Sequence, residues 1–279
     1  MEVVRLMYEG VGQYLFYLGA DDHFGGDDFN QKSFVQYHDE AANRGAVILK
    51  FGDQVGAITH RDPRYSARTV KDSLKKDYFV NAVLDELVEL WKPYVDHVGG
   101  FGMGNHEVSF LKFYGVNLIM MLIARLNALR SKKLRPIAYL DYCGFIWMTF
   151  KSSATNGSYS GYKAAYHHGF GSNAPVTEGI IAAKRFLNNV DDVDLLIVAH
   201  LHKNWSIRTE RFRLNRQGNV VCRPVRLVQV GTHQQTYKEP GDFNMSWAET
   251  KGFPPAPYGG VFLTLTAADR KEITARVEH

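Results

Sequence analysis

Cysteine is scarce: Cys143 and Cys222 are the only two in 279 residues, so no disulfide framework holds the fold. A reducing, cytoplasmic setting follows as the expectation. Long apolar runs are also missing. The longest, 118–124, is closed by Arg125 and falls far short of the roughly 18 residues a membrane span needs. The amino-terminal segment carries Glu2 and Arg5 before an aromatic stretch through Tyr17, without the apolar core or cleavage site of a secretion signal. Neither membrane association nor secretion is expected. Charge of one sign is sparse: the net charge is +4, with Lys and Arg scattered, too mild to argue for a nucleic-acid platform yet compatible with anionic substrates. With 45% hydrophobic and 22% charged residues, the composition excludes a disordered, collagen-like or coiled-coil chain. No repeat, low-complexity tract or Pro/Ser-rich linker divides it, so a single domain over 1–279 is expected.

What the sequence has instead is one pattern used several times. Residues 13–19 (QYLFYLG) form a short apolar run that ends at glycine and releases Ala20-Asp21-Asp22-His23, as a buried strand followed by a polar loop would. Residues 46–51 repeat the pattern and end in Gly52-Asp53, residues 95–101 lead to Gly104-Asn105-His106, and residues 195–198 end in Ala199-His200. Between them, apolar spacing predicts helices over 33–43, 73–91 and 177–188. Strand and helix alternate, so the fold class is α/β. Residues 117–129 are apolar nearly all round and read as a helix buried between layers. Further strands are expected at 137–140, 145–150, 163–166, 207–214, 220–230, 260–265 and 273–277. The longest aperiodic stretch is a C-terminal loop at 231–259, of a length that is usually functional or wraps an edge.

Asp21 and His23 are two apart at a strand end, where the period of two in extended chain turns both side chains to one side. His200 and His202 offer two imidazoles in the same way. Asp53, Asn105 and His168 each follow an apolar run, so an α/β sheet delivers all seven side chains to the crevice beyond its strand ends. Mixed oxygen and nitrogen donors without thiolate argue against structural zinc and for catalytic manganese, iron, zinc or nickel. Seven protein ligands are too many for one ion with open positions. If Asp53 bridges, the set divides into two sites.

Taken in order, Asp21-Asp22-His23, Gly52-Asp53-Gln54-Val55-Gly56, Gly104-Asn105-His106-Glu107, His168-Gly169 and Ala199-His200-Leu201-His202 resemble the motif blocks of the calcineurin-like metallophosphoesterases. Those blocks run D-x-H, G-D-x-x-(D/N), G-N-H-(D/E), a lone H, and G-H-x-H. Gly231-Thr232 and residues 247–259 (WAETKGFPPAPYG) also look like phage and bacterial members of that superfamily. Two positions depart from the pattern: Gly56 stands where an acid or amide is usual, and Ala199 where a glycine is usual. Neither removes a ligand.

The resemblance implies a sandwich of two mixed β-sheets flanked by α-helices, holding two divalent ions, with manganese favoured over iron, zinc or nickel. By motif, Asp21, His23, Asp53 and His202 would hold one ion, and Asp53, Asn105, His168 and His200 the other. The catalytic residues would be Asp53 and His106, the latter acting over the metals as general acid or charge stabiliser while hydroxide attacks phosphorus. Two divalent ions less two carboxylates and a hydroxide leave a charge of about +1, which suits an anionic phosphate ester. Phosphodiester hydrolysis is the first expectation. Alternatives are a phosphomonoesterase or phosphoprotein phosphatase, a nuclease acting on nucleic acid or nucleotides, and a non-enzymatic binding scaffold. Glu107 is expected to support the following helix N-terminus or orient a neighbour. His168 is preferred to His167 because it precedes Gly169, and His233 stands out among the remaining histidines because it follows a strand.

Three other features have both a functional and a structural reading. Arg61, Arg64 and Arg68 offer guanidinium forks to a substrate phosphate, or form a solvated loop. Tyr237, Phe243, Trp247, Phe253 and Tyr258 could stack on a nucleobase or pack the C-terminal loop onto the body. The glycines at 100–104 fail as a dinucleotide fingerprint because of Asn105, and those at 157–161 fail as a nucleophile elbow because of Tyr159.

Overall fold

The computed structural model describes residues 1–56, 70–74, 78–151, 159–171, 176–215, 217–238, 246–268 and 273–279. In chain order the elements are β1 (Glu2–Glu9), β2 (Gly12–Gly19), α1 (Gln31–Asn43), β3 (Val47–Lys50), α2 (Phe79–Trp91), β4 (Val98–Gly102), α3 (Asn105–Tyr114), α4 (Leu118–Leu129) and β5 (Ala138–Asp141). There follow β6 (Cys143–Lys151), β7 (Tyr159–His167), α5 (Ile180–Leu187), β8 (Leu195–Val198), β9 (Trp205–Leu214), β10 (Val220–Gln229), α6 (Trp247–Lys251), β11 (Val261–Ala267) and β12 (Ile273–Glu278).

The strands make two six-stranded mixed sheets, ordered β1-β6-β7-β8-β10-β9 and β12-β11-β2-β3-β4-β5. In the second sheet β2, β3, β4 and β5 are parallel. In the first, β7, β8 and β10 are parallel. Alternation along each strand divides the apolar side chains between two cores. Phe16 and Leu18 of β2 and Leu49 of β3 point between the sheets and meet Ile146, Met148, Phe150, Ile197 and Val228. Tyr17 and Ile48, one residue out of phase, face outward onto Phe34 of α1, Leu87 and Trp91 of α2, and Leu122 and Leu126 of α4. On the far side α5 covers Ala165, Leu196 and Val198 with Ala183 and Leu187. The result is an α/β sandwich of two mixed sheets with helices on both outer faces, as expected.

Some elements differ from their sequence reading. Strand β1 escapes it because its outward face is mixed: Val4, Leu6 and Tyr8 pack on the inter-sheet core, while Val3 and Met7, exposed beside Arg5, blur the alternation. The 73–91 helix is shorter, a single 3₁₀ turn at Asp72–Leu74 preceding α2, which starts at Phe79. Helix α4 is not buried between layers. Leu118, Ile119, Leu122 and Leu126 are buried, whereas Met120 and Leu129 are about half exposed, at 55% and 49%. The 231–259 stretch is not loop throughout, since Ser246 and Glu249 cap one another and open α6. Among the described residues, no single helix is long and apolar enough to cross a membrane.

Candidate metal centre

All the candidate ligands lie just beyond the C-terminal ends of β2, β3, β4, β7 and β8, so strands from both sheets feed one edge of the sandwich. Three overlapping groups of donor atoms form there: Asp21, His23 and His202; His23, Asp53 and His106; and Asp53, His168 and His200. Within each group the donor atoms lie within 4.8 Å of one another. Asn105 joins the third group, its Oδ1 standing 3.2 Å from His168 Nε2. Asp53 belongs to two groups. The structure therefore brings together Asp21, His23, Asp53, Asn105, His168, His200 and His202, with His106 beside them.

The way it does so corrects the extended-chain argument. Asp21, His23, Asp53, His200 and His202 all have positive φ, between 51° and 73°, so neither D-x-H nor H-x-H is an extended pair. Each of these side chains is aimed by a left-handed backbone turn, which costs an L-residue roughly 1–2 kcal/mol. Such conformations persist only where neighbours over-determine them. Here the loop after β2 is zipped onto the loop after β3, with Asp21 N donating to Gly52 O at 2.9 Å, His23 N to Asp53 O at 3.1 Å and Phe24 N to Gln54 O at 2.9 Å. Thr232, just past β10, adds Oγ1 to Asp21 O at 2.7 Å, which ties the start of the C-terminal loop to the same turn.

Hydrogen bonds also decide which donor atoms face inward. Asp21 Oδ2 accepts the His200 amide at 2.9 Å. Among the described residues Asp21 Oδ1 is left buried without a hydrogen bond, 3.6 Å from His202 Nε2 and 3.9 Å from His23 Nε2. The Nε2 atoms of His23 and His202 face each other at 3.1 Å. Two imidazole nitrogens and an orphaned carboxylate oxygen converging in this way fit a shared cation. His168 Nδ1 donates to Phe51 O at 2.8 Å, since a carbonyl only accepts, and this turns Nε2 toward Asp53 Oδ2 at 3.3 Å. His200 Nε2 likewise donates to Gly171 O at 3.1 Å.

The electrostatics point the same way. Burial works to raise Asp53, but His168 and His106 outweigh it and hold the carboxyl well below the usual carboxylate range. Burial likewise opposes a charge on His168, yet the neighbouring Asp53 carries it up to about 10. Burial and then His106 push His23 well below the ordinary histidine value. A site whose carboxylates draw a proton this strongly onto one buried ring is a site for positive charge.

Glu107 supports the arrangement. Its buried carboxylate accepts from Gly104 N at 2.7 Å, Asp53 N at 3.0 Å and Val55 N at 2.9 Å, so the start of α3 and the Asp53 loop share one clamp. Burial and then Asp53 push it up to about 7, against the pull of the Gly104 and Val55 amides. The α3 N-terminus closes the clamp, with His106 N donating to Asp53 Oδ1 at 2.9 Å.

No family model matches the sequence, and no curated protein does. Solved structures that resemble the chain in outline include the following. The Plasmodium inner-membrane-complex anchor GAP50 is 12% identical, with 95% of this chain and 84% of that one covered and a TM-score of 0.43. Chaetomium thermophilum Vps29 is 12% identical over 95% and 94%, with a TM-score of 0.32. A conserved uncharacterized protein from Streptococcus pneumoniae, a predicted phosphoesterase, is 10% identical over 93% and 86%, also with a TM-score of 0.32. Similarity at this level leaves the chemistry to be argued from the chain's own side chains.

The two departures from the motif pattern have local reasons. A Cβ on Gly56 would lie 2.5 Å from His23 O and 2.7 Å from His23 Cβ, so the loop after β3 reaches the His23 turn only because position 56 has no side chain. Ala199 lacks the positive φ that favours glycine, and its methyl group packs into the inter-sheet core. Gly104 is tighter still, for a Cβ there would stand 2.0 Å from Asp53 Oδ1 and 2.5 Å from Asp53 N. Gly104→Ala must therefore displace the Asp53 backbone, and a cost of roughly 1–3 kcal/mol is expected. Thermal unfolding together with metal stoichiometry checks this, and an unchanged midpoint with full metal content would show that the loop yields freely.

Other histidines lie elsewhere. His167 points away from the cluster, its Nδ1 accepting from Gly169 N at 2.9 Å and its ring lying 4.9 Å from that of Phe186 in α5. His38 is buried with Nδ1 on Phe34 O. His233 is buried behind the Asp21 turn, bonded to Ser33 Oγ at 2.9 Å rather than facing the cluster. His168→Ala is expected to lose one metal equivalent and His167→Ala none, measured by elemental analysis of variants with native circular dichroism. The reverse pattern would exchange their roles. Arg61, Arg64, Arg68, Phe243 and the Trp247 side chain lie outside the described residues. Tyr237 uses its hydroxyl on Phe253 O at 2.7 Å, holding the C-terminal loop to itself.

Proposed function

We propose that the chain is a phosphoester hydrolase of the calcineurin-like superfamily, working with two divalent metal ions and acting on phosphodiesters in preference to phosphomonoesters. The observation that carries this reading is the run of three overlapping donor groups. Asp21, His23 and His202, where Asp21 Oδ1 has no hydrogen bond among the described residues and the two imidazoles face each other, connect through His23 to the Asp53/His106 group, and Asp53 connects that one to the His168/His200 group. By motif, Asp21, His23, Asp53 and His202 would hold one ion, and Asp53, Asn105, His168 and His200 the other. Oxygen and imidazole donors without sulfur leave manganese, iron, zinc and nickel open, and the resemblance to the superfamily favours manganese. When bound, two such ions supply Lewis acidity toward a phosphoryl group and lower the pKa of water.

The protein's own contribution is orientation and proton handling. Asp53 and Asp21 supply the negative charge, Glu107 fixes the Asp53 backbone, and the Phe51 and Gly171 carbonyls hold His168 and His200 in one tautomer. His106 stands at the rim with its ring 4.8 Å from that of His23, placed to give a proton to a leaving group or to offset charge on a phosphoryl oxygen. The domain spans 1–279, its substrate is a phosphate ester with nucleotides or nucleic acid among the alternatives, and its setting is the cytoplasm.

Metal content of the purified protein, followed by turnover of nitrophenyl diesters and monoesters with manganese restored, tests the reading. Two equivalents and faster diester cleavage are expected. A folded protein that takes up no metal would instead be a binding scaffold. Faster monoester cleavage would make it a phosphatase.

A further inference from the structure

Between the two proposed ligands of the D-x-H block sits Asp22, whose side chain turns away from them into the protein. Its Oδ1 accepts from Lys50 Nζ at 2.6 Å, and both side chains are essentially inaccessible, at 1% and 0% exposure. Lys50 is the last residue of β3, three positions before Asp53. Its ammonium lies between two aromatic rings, 5.9 Å from the centre of Tyr17 and 5.8 Å from that of Trp91. Room for it depends on Gly19, where a Cβ would stand 2.8 Å from Nζ. His233 Nε2 stands 3.9 Å from Asp22 Oδ1 and the Asp21 charge also acts on Asp22, while Asp22 Oδ2 makes no hydrogen bond among the described residues.

This pair has no evident value as a source of stability. Desolvating a carboxylate and an ammonium offsets most of their attraction, and apolar replacements of such pairs are often neutral. Its placement is specific, however. Asp22 is flanked on both sides by residues in the left-handed region, Asp21 at φ 53° and His23 at φ 55°, and its only direct side-chain hydrogen bond among the described residues reaches the strand that delivers Asp53.

We propose that Lys50 is a positioning residue for one half of the metal centre: by gripping Asp22 from behind, it holds the strained turn that points Asp21 and His23 at His202. The inference rests on the two-metal reading and assigns Lys50 to the Asp21/His23/His202 half, leaving the half made by Asp53, Asn105, His168 and His200 largely independent of it.

The test is titration of manganese into the metal-free protein, with stoichiometry and affinity read by calorimetry and the coupling between two bound ions read by electron paramagnetic resonance. In the double variant Lys50→Met/Asp22→Asn, both charges go while the side-chain shapes are kept. It is expected to fold and to bind one ion as tightly as the wild type does. The other should bind at least tenfold more weakly, and the coupled signal should disappear at one equivalent of added metal. Two ions held with wild-type affinities would overturn the proposal. Should the double variant fail to fold, Asp22→Asn and Asp22→Ala give the same comparison, since only the first keeps an oxygen for the ammonium. The proposal requires the alanine variant to hold one ion at least tenfold more weakly than the asparagine variant, and equal affinities overturn it. A wild-type protein that binds no manganese would refute the two-metal reading itself, which separates that failure from this one.

Discussion

Asp53→Asn is expected to remove activity more completely than any other single ligand change, by at least ~10³-fold, because a single lost electrostatic contact of this kind is already worth about 10²–10³. Asp53 is the residue common to the His23/His106 and His168/His200 donor groups. It is also held from several sides, by the Glu107 carboxylate at its amide and by the His106 amide at Oδ1. An amide at this position keeps the shape and one acceptor but loses the charge that both ions would share. His23→Ala, which touches only one proposed half, is the comparison. Turnover would be measured at saturating manganese, and near-wild-type rates for Asp53→Asn would rule out the bridging role.

His106→Ala should separate chemistry from metal binding. The variant is expected to keep two metal ions and to lose roughly 10²–10⁴-fold in turnover, the usual range for a general acid. The loss should shrink for esters with good leaving groups, which need no proton. His106 also stands in one donor group with His23 and Asp53, so geometry admits a second outcome. If metal content falls along with the rate, His106 is a ligand and proton delivery must come from elsewhere. Elemental analysis beside a leaving-group series on the same preparation distinguishes these results.

Much of this site was legible because its donors are short-range in sequence. Asp21 with His23 and His200 with His202 each come from one loop, and each loop follows a saturated apolar run whose strand character is plain. The buried partners were not legible in the same way. Lys50 reads as one polar residue at the end of an apolar strand, and nothing in VILKFGD says that its ammonium finds Asp22, 28 residues away in sequence. Glu107 was expected to support a helix end or a neighbour. That it does both, and that it also seizes Val55 N, depends on the β3 and β4 ends lying side by side. The extended-chain account of D-x-H brought Asp21 and His23 together by the wrong geometry, since spacing alone does not distinguish two alternate positions of a strand from two left-handed turns.

From the sequence by itself came the element types, the alternation that makes an α/β chain, and the identity and order of the donor residues, because these follow from local periodicity and side-chain chemistry. Only the tertiary structure decided where those donors point. Among the described residues Asp21 Oδ1 is left without a hydrogen bond while His200 N occupies Oδ2, and His168 presents Nε2 because Phe51 O takes Nδ1. His167 lies away from the donor groups because the end of β7 turns it onto α5. Each of these is a contact between segments far apart in the chain. Five strained turns can persist only when such contacts, and the glycines that let the loops approach, hold them together.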